Sequence, residues 1–304
     1  MVAFFMKYFT HFLRVFIGLI FIVSGLAKLY PVEPFEYIFI ELGVTNWSLI
    51  PFIARFVIAF ELFIGLSIIA NIWLKNKVYY LAQGSLLVFT VYLIYLFLTK
   101  GNHVDCGCFG DLIKLSPAES IIKNVVLMAV LFFIPRQQQF LFKVNTAMGF
   151  IILSSIAFPV ILNPIGFHNI QGTEVNQKVN LSGLPNSYKT NQKVDFSKGK
   201  KVIAFFSYKC SHCINAARKF GLLNNEQKIG NLYFVVGSKK EKGLIKFIEQ
   251  TNTSFPMIWM NDDSFFKYAG GRLPAIVYIE NGVMKKNWYG DLFDVNDIRQ
   301  HFTD

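Results

Sequence analysis

Apolar and polar residues are unevenly distributed along this chain. Five long apolar stretches, at about 12–29, 49–73, 78–99, 117–135 and 144–163, are separated by short polar connections. Each is long enough, or nearly so, to cross a bilayer as a helix. Beyond residue 196 the pattern changes to short apolar runs broken by turns. Lys201–Ser207 is rich in β-branched and aromatic residues and predicts a buried strand. Apolar residues at helical spacing follow, from Ile214 to Phe220. Asn231–Val236 predicts a second strand, Glu241–Gln250 a helix and Phe255–Trp259 a short extended piece. Ala275–Ile279 and Val283–Tyr289, joined by Glu280-Asn281-Gly282, predict a hairpin. Asp294 is placed to cap a closing helix that runs to Phe302.

These patterns predict an all-α transmembrane bundle of about five spans over 1–165 and an α/β domain over 197–304. Between them, residues 166–196 carry Gly166, Gly172, Gly183 and Pro185 among Asn, Gln, Ser and Thr. This is turn chemistry and predicts a tether with some extended structure and no core of its own. A tether gives the second domain reach and a high effective concentration near the membrane part.

Composition supports a membrane chain. Of 304 residues, 53% are hydrophobic and only 16% charged, below the quarter or so usual in soluble domains. Basic residues outnumber acidic ones, 30 to 19. No basic cluster interleaved with aromatics accompanies that excess, so no nucleic-acid partner is expected. Basic cytoplasmic loops explain the excess better. Lys7, Arg14, Lys75, Lys77, Arg136 and Lys143 fall at the N-terminus and in alternate connections; Glu33, Glu36, Glu41, Asp105 and Asp111 fall in the others. The positive-inside rule then puts the N-terminus in the cytoplasm of a bacterial inner membrane. After five spans, residues 164–304 lie on the periplasmic side, where disulfides persist.

That topology places all four cysteines in one compartment, as two close pairs. Cys210-Ser211-His212-Cys213 sits where a strand hands over to a helix. Unpaired N–H groups at a helix N-terminus favour an anion, and Cys-X-X-Cys thiols there have pKa values lowered to roughly 3.5–7.5. Thiol–disulfide exchange fits, with Cys210 attacking, Cys213 resolving and His212 adding positive charge. Half a zinc site, or two inert core cysteines, are the duller readings. Cys106-Gly107-Cys108 is the second pair, with Gly107 and Gly110 freeing the backbone for a tight turn. Exchange, a copper or zinc site with His103, and a purely structural disulfide stay open there.

The order β-α-β-α-β-β-α, with Cys-X-X-Cys after the first strand, resembles the thioredoxin fold, most nearly domains of the TlpA kind. Gly271-Arg272-Leu273-Pro274 before a strand resembles that family's cis-proline loop. The resemblance implies that Pro274 lies against the cysteine pair and shapes its partner groove. Ser-His between the cysteines departs from the commoner Gly-Pro, which leaves the redox poise open. In the membrane half, Arg14, Gly18, Ser24-Gly25 and Lys28 resemble the DoxX pattern. Glu61-Leu-Phe-Ile-Gly65 and Cys106-Gly-Cys-Phe-Gly110 resemble its MauE branch. MauE proteins are linked to maturation of an exported, disulfide-containing enzyme, methylamine dehydrogenase. The resemblance implies redox maturation of exported client proteins through mixed disulfides.

Charged residues inside spans invite a functional reading. Glu61 falls near mid-span, where a charge costs about 2.5–3.5 kcal/mol on insertion scales. It is therefore neutral or paired, as a proton relay, a contact to a carrier such as a quinone, or an interhelical hydrogen bond. Lys28 and Arg55 lie near outer span ends, to stabilise a thiolate or to snorkel to the headgroups. Glu119 and Lys123 are four apart and predict a local pair. The expected function is a membrane thiol–disulfide oxidoreductase that relays electrons between its two cysteine couples. The competing readings are a metal-handling membrane protein and a non-catalytic docking module.

Overall fold

A computed structural model describes residues 2–72, 77–102, 106–111, 115–134, 144–188 and 190–303. Lys75, Arg136 and Lys143, on which the orientation partly rests, lie outside the described residues, as do His103, Asp105 and the side chains of Lys7 and Asp111. The chain forms two compact units. One comprises residues 1–39 and 49–165; the other comprises 40–48 and 166–304.

The first unit holds α1 (Val2–Ala27), α2 (Glu33–Glu41, the end of which passes into the other unit), α3 (Ile50–Ala70) and α4 (Tyr79–Lys100). A short strand, β1 (Cys108–Asp111), follows, then α5 (Pro117–Phe133) and α6 (Val144–Leu162). A helix stands at each of the five apolar stretches. Tyr8–Ala27, Ile50–Ala70 and Tyr79–Lys100 are long and apolar enough to cross a membrane, and Thr146–Leu162 is a shorter apolar helix. The number of spans is therefore approximate. Many large apolar side chains point outward, among them Phe12, Phe56, Leu98, Phe133 and Ile161, as befits a lipid solvent.

Local chemistry sets the helix ends. Ser116 accepts from the backbone N–H of Glu119, whose carboxylate accepts from the Ser116 N–H, so a capping box starts α5 with Pro117 in its first turn. Glu119 is thus occupied at the cap, and the Lys123 ammonium lies over the Phe109 ring, 4.5 Å from its centroid. At the close of α3, Asn71 takes the left-handed conformation (φ 57°) and returns its N–H to Ile68 O. Where α1 crosses α3, a Cβ on Gly18 would lie 2.8 Å from Gly65 O, and one on Gly65 would lie 2.7 Å from Gly18 O. Only glycine permits that approach, a small-residue contact typical of membrane helices. It brings the facing side chains further along both helices within reach of each other.

The second unit is built on one six-stranded sheet. Its strands are β2 (Thr173–Lys178), β3 (Lys200–Ser207), β4 (Leu232–Gly237), β5 (Met257–Met260), β6 (Ala275–Glu280) and β7 (Val283–Tyr289). The spatial order is β2-β7-β6-β3-β4-β5. β3 runs parallel to β4 and antiparallel to β6. Helices α7 (Ser211–Glu226), α8 (Glu241–Thr251), α9 (Asp262–Ala269) and α10 (Val295–Arg299) complete the unit. Both faces of β3 are covered: Val202, Ala204 and Phe206 enter one core, Ile203 and Phe205 the other. This is why that strand reads as an unbroken apolar run rather than an alternation.

Two features depart from the sequence reading. The closing helix stops at Arg299, not Phe302, although Asp294 caps it by accepting from the N–H groups of Asn296 and Asp297. The segment 166–196 does more than tether. Its β2 pairs with β7 and covers that edge of the sheet, while Leu184 and Phe196 are buried in the second core. Asp297 Oδ2 accepts from the Gly172 N–H and from Trp288 Nε1, both at 2.8 Å. Turn-rich composition hid this, because backbone pairing to an open edge needs no apolar run.

Candidate active site

The Cys-X-X-Cys pair lies where β3 ends and α7 begins. Cys210 is the N-cap of α7, with extended backbone, and Sγ replaces the usual oxygen of a cap. The Cys213 N–H donates to Cys210 Sγ at 3.2 Å. Cys213 is fully buried and its Sγ accepts from the Ser207 N–H at 3.5 Å. Hydrogen bonding from the Cys213 side chain brings the Cys210 pKa down to about 6. The Cys213 backbone N–H and the His212 charge add to this, against burial and the Asp291 charge. Burial pushes the Cys213 thiol up, and its hydrogen bond to Cys210 adds to that. The two shifts run in opposite directions, towards a thiolate at Cys210 and a thiol at Cys213, an arrangement that suits exchange.

A carboxylate that pattern reading did not find sits beside this pair. Asp291 is 3% exposed, in the loop between β7 and α10. Its Oδ1 lies 3.1 Å from His212 Nδ1, and its Oδ2 accepts from Asn215 Nδ2 at 3.3 Å. Lys219, wholly buried, donates to the carbonyls of Asp291 (3.2 Å) and Phe293 (2.6 Å) and stands 3.0 Å from His168 Nδ1. His212, Asn215 and Lys219 are spaced three and four apart, one polar stripe on an otherwise core-facing helix. That stripe was the available signal. The Leu273–Pro274 peptide bond is cis, and Leu273 packs against both cores.

In the first unit, Cys106 and Cys108 flank Gly107, at the start of β1. Both are buried, 2% and 7% exposed. The Cys108 N–H donates to Cys106 Sγ at 3.2 Å, the same distance as in the other pair. Cys106 Sγ also lies 3.0 Å from Ser120 Oγ in the first turns of α5. Hydrogen bonding to Cys106, then burial, pushes the Cys108 thiol up. Gly110 has a positive φ (56°), and a Cβ there would lie 2.3 Å from Ala27 O, so the turn seats directly on the end of α1. The metal reading of this loop needs His103, which lies outside the described residues.

Lys28 and Glu61 are paired. Lys28 Nζ donates to Glu61 Oε2 at 2.7 Å and Oε1 at 2.9 Å, and to Ser24 Oγ at 2.8 Å. Ser24 Oγ in turn donates to Cys108 O at 3.0 Å. Lys28 and Glu61 are 1% and 4% exposed, so Lys28 does not snorkel. Arg55, 5% exposed, belongs to another network, bonding Glu36 Oε1, Asn163 Oδ1 (3.1 Å) and Pro164 O (3.3 Å). The three residues considered for a carrier site therefore form two separate clusters. The cavity beside Lys28 and Glu61 leaves about 30 Å³ to the centre of a water-sized sphere.

Both halves have likenesses among known proteins. Residues 6–135 match the family described as Methylamine utilisation protein MauE. The N-terminal part is MauE-like. With its long apolar helices, this makes the chain a multi-pass membrane protein. A protein named TlpB, from Flavobacterium psychrophilum, is 27% identical over 346 aligned positions, covering 93% of this chain and 92% of the relative. The likeness therefore spans the MauE-like part and the thioredoxin-like part together. Among solved structures, the thioredoxin domain of a thiol-disulfide oxidoreductase from Bacteroides vulgatus is 18% identical, with TM-score 0.35. That match covers 43% of this chain and all of that one. StoA from Bacillus subtilis is 14% identical, with TM-score 0.33, over 38% of this chain and 92% of its own.

Proposed function

We propose that this protein is a membrane thiol–disulfide oxidoreductase whose two cysteine couples exchange electrons with each other. Cys210 forms the mixed disulfide with an exported client protein and Cys213 resolves it. The Cys210–Cys213 couple then exchanges with Cys106–Cys108 of the MauE-like part. Each exchange moves two electrons, one disulfide forming as another is reduced. Both couples work on the periplasmic side of a bacterial inner membrane, with the N-terminus in the cytoplasm.

One observation carries the reading. In each pair the first sulfur accepts the backbone N–H of the second cysteine at 3.2 Å, while the second thiol is buried and held protonated. Two pairs built alike as nucleophile and resolver suit a relay between them. Cys213→Ala in the full chain, quenched with an alkylating agent, should accumulate mixed disulfides with client proteins. The same variant carrying Cys210→Ser should accumulate none. Recovery of no such adduct from the first variant would remove the exchange reading. Labelling of either couple only from the cytosol by an impermeant maleimide would remove the placement.

A further inference from the structure

Oxidising a buried dithiol leaves a proton to be placed. When Cys106 is held in a mixed disulfide, Cys108 must lose its proton before its sulfur can attack. Cys108 is 7% exposed, and bulk water is not at hand to take that proton. A cavity opens beside it, lined by Ser24, Lys28, Glu61, Cys108, Lys123 and Asn124, with apolar side chains of α1, α4 and α5 lining the rest. Its volume, about 30 Å³ to the centre of a water-sized sphere, exceeds the 10–15 Å³ or so that one water needs. Among the described residues, the only carboxylate on its wall is Glu61.

Resting on the exchange reading above, we propose that Glu61 is the proton acceptor of the membrane couple, reached from Cys108 through water in this cavity. Lys28 and Ser24 are positioning residues. Lys28 grips both carboxylate oxygens, at 2.7 and 2.9 Å, and the Ser24 hydroxyl, which donates to Cys108 O, ties that grip to the cysteine turn. The step balances. The Cys108 proton passes to the Glu61 carboxylate, and the Cys108 thiolate attacks Cys106 Sγ. The 106–108 disulfide forms, the bond from Cys106 to the incoming sulfur breaks, and that sulfur leaves as a thiolate with the electron pair. The incoming disulfide is the oxidant. Run backwards, Glu61 returns the proton as the couple is reduced. Among the described residues, the charged and titratable groups lining this space are Lys28 from α1, Glu61 from α3, Lys123 from α5 and Cys108, with Cys106 acting on Lys123 through its charge.

The test uses the full chain in lipid nanodiscs with Cys210→Ser and Cys213→Ser, so that only the membrane couple reacts. A small dipyridyl disulfide releases one chromophore as it caps Cys106 and a second as Cys108 displaces it. Glu61→Gln should slow the second release about 100-fold at neutral pH, in the range of a lost general base, and leave the first unchanged. The residual rate should climb with hydroxide across the alkaline range, where the parent chain is flat. Glu61→Asp should restore part of the rate. A merely electrostatic Glu61 predicts the opposite sign. Without its negative charge, Lys28 would favour the Cys108 thiolate and speed the second release. Lys28→Met with Glu61→Gln removes the buried charges together, which protects folding, and should be as slow as Glu61→Gln. A second release unchanged or faster in that double variant overturns the proposal. Failure of the first release in the parent chain would instead sink the exchange reading itself.

Discussion

The two cysteine couples share a backbone device and differ in everything around it. At Cys210, a half-buried sulfur caps a helix of the thioredoxin-like domain, with the largely exposed His212 beside it. At Cys106, the sulfur is buried among apolar side chains that include Ala27, Leu93 and Phe109. One couple stands partly open to solvent. The other is shielded and carries its own buried charges. Exposure leaves solvent beside the first site; at the second, the proposed acceptor is Glu61.

The contrast can be broken most forcefully at the buried charges. Lys28→Met leaves Glu61 without its cation in an apolar bundle and should cost about 3–5 kcal/mol, read as a loss of thermal stability in detergent or nanodiscs. The double change to Met and Gln should recover most of that loss. Substituting exposed Lys198, whose ammonium is 3.9 Å from Asp195 at the surface, should leave the thermal midpoint almost unchanged. If Lys28→Met were equally mild, the pair would not hold α1 to α3.

The next test sharpens the electrostatics of the exposed couple. With a pKa near 6, alkylation of Cys210 should rise with pH through a midpoint of about 6 and level off above it, since only the thiolate reacts. The sign for stability follows. A folded pKa depressed from the ordinary thiol value stabilises the reduced domain fully above that value, and the gain is lost as pH falls through about 6. Asp291→Asn removes a charge that raises the Cys210 pKa, so the alkylation midpoint should move to lower pH and the couple should become more oxidising. An upward shift would show that Asp291 acts mainly by keeping His212 charged, 3.1 Å away. The smallest effect is expected at the α5 cap beside the membrane couple. Ser116→Ala removes a capping box and should cost about 1 kcal/mol, seen as a modest drop in thermal midpoint with both couples still titratable.

Much of this was legible along the chain because it is local. Apolar stretches marked helices at all five places, and the continuous run Val202–Phe206 marked a strand covered on both faces. The Cys-X-X-Cys stood at a strand-to-helix junction, where its chemistry is read from neighbours in sequence. Glu119 serves the Ser116 cap, because a free backbone N–H at a helix start is a better partner than a side chain one turn on.

What the sequence determined by itself was therefore the alternation of lipid-facing and water-facing elements, and the reactive thiols with their immediate turns. Only tertiary structure decided that Lys28 meets Glu61 rather than the headgroups, that Arg55 turns to Glu36, that Asp291 lies beside His212, and that residues 173–178 complete a sheet. Each of these joins groups distant in the chain. Periodicity tells which face of a helix is apolar, but which polar groups meet across two helices depends on how closely the backbones approach, and here Gly18 and Gly65 set that distance.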